Sequence, residues 1–215
     1  MASTVALIGH GSFGMERYIR WQNSLLAPPD LARSRFVEIP ALHQTGLYRT
    51  ATLRDALGGY RDLPSWPIDQ DLWLRWFQAG LKCGKLPDPP LYLWRQHEKQ
   101  STRTHGRCSL ENMRGSKVHF LLREGGPAHG RAIVLYSVKK TLRAWQADLE
   151  AAGATVLHAF DWHPKGALPA LPADKVVAGA PRPVRLFCYG SVGVRDYVAG
   201  LVGDDWDAGL DWMAA

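Results

Sequence analysis

The stretch Gly58–Thr102, GGYRDLPSWPIDQDLWLRWFQAGLKCGKLPDPPLYLWRQHEKQST, decides how the chain is read. It opens on a Gly-Gly turn and runs through a loop whose Pro64 and Pro67 bar it from a sheet interior. Over 69–79, Leu72, Trp73, Trp76, Phe77 and Ala79 recur at i, i+3/i+4 and i+7, the apolar face of a helix. Asp69 suits its N-cap and Asp71 its first turn, and Gly80 stops it. KCGKL and LYLW then predict a strand hairpin around Pro87-Asp88-Pro89-Pro90, ending in Arg95-Gln96-His97. Carboxylates at a helix mouth and a His at a strand end are groups that can move a proton. The same residues also serve as plain caps.

Upstream, TVALI over 4–8 predicts a short strand, followed by GHGSFG and a helix over 15–26. Strand, glycine loop and helix form the context of a dinucleotide fingerprint at Gly9, Gly11 and Gly14. Against it, the helix opens on bulky Met15-Glu16-Arg17, and Glu38 comes well beyond the roughly 20-residue spacing of the ribose-binding acid. Pro28-Pro29-Asp30 also predicts a break. Residues 35–40 predict a strand and 46–57 a helix ended by Gly58-Gly59.

Downstream, 98–112 predicts a loop and 111–123 a helix. Residues 125–130, turn-rich and without apolar period, predict a linker. Strands over 131–136, 154–160 and 184–189 alternate with helices over 138–152 and 194–201, the pattern of a small parallel α/β unit. Ser137-Val138-Lys139-Lys140 stands where a nucleotide-binding glycine loop belongs, which points this unit to a structural or interaction role.

The chain has 215 residues, 46% of them hydrophobic, enough to bury a sizeable core. Its net charge of +6 comes from scattered Lys and Arg without a basic run, so no nucleic-acid partner is expected. Three distant cysteines, Cys83, Cys108 and Cys188, lack metal-ligand spacing and read as reduced thiols. The start lacks a basic n-region and reads as no signal peptide. No apolar run approaches the ~18 residues of a membrane span, and a cytoplasmic location is the expectation.

A family resemblance rests on several stretches together. They are Glu16-Arg17-Tyr18-Ile19-Arg20-Trp21, Gly58-Gly59-Tyr60, Gln70-Asp71-Leu72, Ala79-Gly80 and Leu91-Tyr92-Leu93-Trp94-Arg95-Gln96-His97. In their order and spacing the chain resembles the second half of a family 2 glycosyltransferase of the GT-A fold. More narrowly, it is similar to the UDP-GlcNAc:βGal β-1,3-N-acetylglucosaminyltransferase-like proteins, which close in a pattern similar to Gly209-Leu210-Asp211-Trp212.

The resemblance implies an α/β chain in two parts. Residues 1–124 would be the acceptor-side half of a GT-A domain, a mixed sheet with helices. After the linker, 131–215 would be a small Rossmann-like α/β domain. The nucleotide-binding half, with its Asp-x-Asp metal motif, would precede this chain, making it a fragment inactive alone. Asp69-Gln70-Asp71 and Asp205-Trp206-Asp207 do not follow the buried strand that such a motif needs.

Implied with the resemblance are an inverting transfer from a UDP-sugar to a glycan or small hydroxyl acceptor, and a divalent metal, Mn or Mg, in the full enzyme. The base maps onto Asp71, with Gln70 where the family carries Glu and Asp69 able to compensate. His97 maps toward the metal or diphosphate. Arg95 can fork onto phosphate, and Trp66 can stack the acceptor. A plain i, i+4 pair of Asp71 with Arg75 is the competing reading. A non-catalytic sugar- or protein-binding module and an NAD(P)-binding protein stand as alternatives.

Overall fold

A computed structural model describes residues 1–9, 12–175, 179–189, 192–202 and 212–215. The chain divides into two compact units, Met1–Ser116 and Lys117–Ala215. The division falls upstream of the expected 125–130 linker, inside a helix.

In the first unit, β1 (Ala2–Ser3) and β2 (Val5–Ile8) form one nearly continuous N-terminal strand. β1 pairs in parallel with β3 (Lys85–Leu86), and β2 pairs in parallel with β4 (Tyr92–Arg95). The predicted hairpin is therefore corrected. β3 and β4 run in the same direction, side by side with the N-terminus, and the proline-rich 87–91 loops out between them. Among the described residues every strand pair is parallel, so the mixed sheet expected of this half is corrected as well.

α1 (Phe13–Ser24) is capped by Ser12, whose hydroxyl accepts from the Met15 N–H. It lays Ile19 and Tyr18 against Val5, Leu7, Tyr92 and Trp94. Alternation puts those four strand residues on one face of the β2–β4 pair. α2 (Pro28–Arg33) forms where a break was expected, because Pro is tolerated at the first helical positions, where the N–H has no partner anyway. Residues 35–40 are turns rather than a strand, and the 46–57 helix shrinks to a π-turn over Thr52–Ala56. Gly58 and Gly59 follow at φ 71° and 72°, the left-handed stop that glycine permits.

α3 (Ile68–Gln78) is buried almost all round, from Gln70 to Trp76. Leu72, Trp73 and Trp76 join Ala2, Leu31, Ala41, Leu57 and Cys83 in the unit's core. The expected 98–112 loop holds α4 (Ser101–Thr104) and a 3-10 turn, and α5 (Leu110–Leu122) follows.

The second unit is a four-stranded parallel sheet in the order β6 (Val156–Asp161), β5 (Ile133–Ser137), β7 (Val184–Phe187), β8 (Trp212–Ala214). β5 is buried throughout, as expected of a strand in an inner position. α6 (Lys139–Ala151) buries Leu142, Trp145 and Leu149. α7 (Val192–Val202) packs Val198 and Val202 with Val134, Tyr136 and Phe187. By alternation that face of β5 is opposite the one carrying Ile133 and Leu135. A parallel α/β architecture is thus present, as the strand and helix alternation predicts. No helix among the described residues is long and apolar enough to cross a membrane.

Candidate functional site

The mouth of α3 gathers the polar groups of the first unit. Trp73 positions them. Its indole N–H donates to the Ala41 carbonyl at 2.7 Å, across a fully buried contact. Residues 41–45 are thereby pinned to the helix, and the 3-10 turn His43–Thr45 comes to lie beside Asp69, one helical turn before Trp73. Stacking of Trp73 on Phe77 at 5.8 Å and its edge contact with Trp76 hold the indole itself.

Asp71, the residue that the resemblance maps as base, is fully buried between two guanidiniums. Arg75 reaches Oδ2 through Nε at 2.9 Å and Nη2 at 2.8 Å. Arg61 donates Nε to Oδ2 at 3.1 Å and Nη2 to Oδ1. Arg75 also donates to the Leu57 and Gly59 carbonyls, so the pair staples the Gly58-Gly59 turn onto α3. Both carboxylate oxygens are occupied by cationic donors. This is the competing i, i+4 reading with a second arginine added, and in this geometry the Asp71 carboxylate is closed off from solvent.

Asp69 is placed differently. It is not the N-cap, a position that Pro67 takes; its Oδ1 accepts from the Gln70 N–H at 2.9 Å. Its Oδ2 lies 3.7 Å from His43 Nδ1, and its side chain keeps 21% exposure. The ring of Tyr60 meets His43 edge-on at 5.7 Å, and the Tyr48 hydroxyl donates to the His43 carbonyl at 3.5 Å. Burial raises the pKa of both phenols and of the Cys108 thiol, and the Asp69 charge pushes all three further the same way. Asp69, His43, Tyr60, Tyr48 and Cys108 thus form one neighbourhood around a carboxylate that pairs with no arginine among the described residues.

Gln70 is buried and donates to the Met113 carbonyl at 2.9 Å and the Ser116 hydroxyl at 2.7 Å, tying α3 to α5. Trp66 is half-buried in the turn before Pro67. Arg95 and His97 are exposed at the end of β4, and among the described residues no hydrogen bond or ion pair joins them to α3. No group of three or more His, Cys, Asp or Glu suited to a metal ion occurs among the described residues.

In the glycine loop, Gly9 adopts φ 86° and Gly11 lies outside the described residues. Gly14 is exposed with only Ser12 Oγ near, so it lacks the close helix–sheet contact that the third glycine of a dinucleotide fingerprint makes. Asp205, Asp207 and Gly209-Leu210-Asp211 also lie outside the described residues.

Parallel sheets bind ligands beyond the carboxyl ends of their strands, where neighbouring connections diverge. In the second unit two hydrogen bonds lie at that end of the sheet. The Ser137 hydroxyl donates to the Cys188 carbonyl at 2.7 Å, and Asp161 accepts from the Lys139 N–H that opens α6.

Sequence reasoning did not find His43, Tyr48 or Arg61. His43 carries no periodic signal, and Arg61 meets Asp71 from ten residues away, where no local spacing rule applies. Comparison with known proteins yields no protein-family model, no curated protein and no solved structure that matches the chain.

Proposed function

We propose that the first unit is the acceptor-binding part of an inverting glycosyltransferase that uses a UDP-sugar, with Asp69 rather than Asp71 taking the proton. One observation carries the assignment. Of the two aspartates at the α3 mouth, Asp69 is the one that meets no arginine among the described residues and keeps part of its side chain exposed, with Oδ2 beside an imidazole that a phenol ring flanks. A general base must present a lone pair within hydrogen-bond reach of the attacking hydroxyl.

In the proposed reaction Asp69 Oδ2 accepts the acceptor's hydroxyl proton as that oxygen bonds to the anomeric carbon. The bond from that carbon to the diphosphate breaks, and UDP leaves with the electron pair. Backbone donation from Gln70 holds Oδ1 and leaves Oδ2 on the side of His43. Tyr60 and Trp66 supply aromatic faces for a pyranose ring. Arg95 supplies guanidinium donors for phosphate oxygens. Asp71 with Arg75 keeps the Gly-Gly turn, and so Tyr60, in place.

The enclosure of Asp71 also favours a second reading, a saccharide-binding module without transfer. Two measurements separate them. Tryptophan fluorescence titrated with methyl β-galactoside reports acceptor binding, expected to be saturable and lost in Trp66→Ala. Release of UDP from a panel of UDP-sugars, with the same acceptor and the chain joined to a nucleotide-binding GT-A half, reports transfer. The transferase reading requires Asp69→Asn to abolish release while fluorescence binding persists. Binding without release supports the module, and absence of both overturns the site.

A further inference from the structure

Lys85 lies outside the α3 mouth and is unusual in a different way. Its side chain is only 7% exposed, and its Nζ donates to the Gln22 carbonyl in the last turn of α1. No carboxylate pairs with it among the described residues. The groups that face it are few. Cys83, two residues earlier on the same extended segment, is buried and puts its thiol beside both Lys85 and the Met1 amine. The Tyr48 phenol lies near Cys83. Asp88, the nearest acid along the strand, accepts instead from the Thr4 hydroxyl at 3.2 Å. The last turn of α1 carries no acidic residue.

The same lysine joins three pieces of the unit. Its backbone N–H donates to the Leu26 carbonyl at 3.0 Å, its Cα pairs with Ala2 in the β1–β3 ladder, and its amine holds the end of α1. An ammonium here has one acceptor for three donors and, among the described residues, no counter-charge, whereas a neutral amine on the same carbonyl has one donor fewer and no charge to desolvate.

We propose that Lys85 is a proton-operated latch on the N-terminal strand. Neutral, the amine stays beneath β1; protonated, it leaves for water, β1 parts from β3, and Cys83 is uncovered. Burial lowers the lysine from its ordinary 10.5 to about 7, in keeping with this geometry. The open state restores the ordinary value and so binds the extra proton over the whole interval between the two. Opening therefore becomes easier as pH falls from 10.5 to 7, about tenfold per unit, and levels off below 7.

Cys83 alkylation in the full chain reads the latch. Its rate is followed by mass spectrometry between pH 7 and about 9 and divided at each pH by that of a free cysteine amide. In the wild type this normalised rate is expected to fall about tenfold per pH unit. In Lys85→Met it is expected to be slow and flat. In Lys85→Arg, whose charge is permanent, it is expected to be fast and flat. A flat wild-type profile, or a Lys85→Met profile with the wild-type slope, overturns the proposal. That comparison does not depend on whether Lys85→Arg folds.

Discussion

Replacing Asp71 by alanine tests what the α3 mouth is built around. The substitution leaves Arg75 buried with its carboxylate gone, while its bonds to Leu57 and Gly59 remain. Removing one partner of a buried ion pair costs about 3–5 kcal/mol, because the other charge stays out of water uncompensated. Arg75→Ala should reach the upper end of that range, since two carbonyls lose a charged donor as well. Arg61→Ala should cost only about 0–1 kcal/mol: the side chain is 39% exposed, and water replaces it over Oδ1. The assay is native-state hydrogen exchange of the α3 amides, which reports the free energy of opening that segment in the full chain. A double-mutant cycle should give a larger coupling for Asp71 with Arg75 than for Asp71 with Arg61. Equal losses in Arg61→Ala and Arg75→Ala, or unchanged α3 protection in Asp71→Ala, would refute the reasoning.

Two further substitutions probe the scaffold. Gln70→Glu places the residue of the family pattern in this chain, but its carboxylate cannot donate to the Met113 carbonyl; we expect a loss of about 1–3 kcal/mol, read from thermal melting. Gly58→Ala and Gly59→Ala meet no neighbouring atom, so their cost is the left-handed backbone alone, about 1–2 kcal/mol each by chemical denaturation. A larger loss would mean that the turn is packed rather than merely bent.

The parts of this fold that the sequence made legible are those governed by short spacings. The 3.6-residue period of Leu72, Trp73 and Trp76 marked α3 to within a residue at each end, and β–α alternation marked the parallel sheet of the second unit. What escaped was non-local or depended on context. The β2–β4 pairing joins Val5 to Tyr92, and no local rule distinguishes that from a hairpin of β3 and β4. Pro28-Pro29 reads as a breaker unless one knows that it opens a helix. At the site, the carboxylates were visible as a cluster, but their roles depend on partners. Arg75 was visible at i+4, while Arg61, which closes Asp71, and His43, which flanks Asp69, come from distant turns.

The pairing of the N-terminal strand has a consequence for how the chain is made. Ala2–Ile8 leaves the ribosome well before its partners, Lys85–Leu86 and Tyr92–Arg95, have been made. The first unit is thus a fold of high contact order, closing its sheet only after most of its residues exist. In the interval Val5-Ala6-Leu7-Ile8 is an unpaired apolar strand, open to nascent neighbours and to chaperones. The second unit starts otherwise: β5 and β6 are joined by one helix and can meet as soon as α6 has formed. Slower synthesis lengthens that interval and should therefore lower recovery of the first unit more than that of the second.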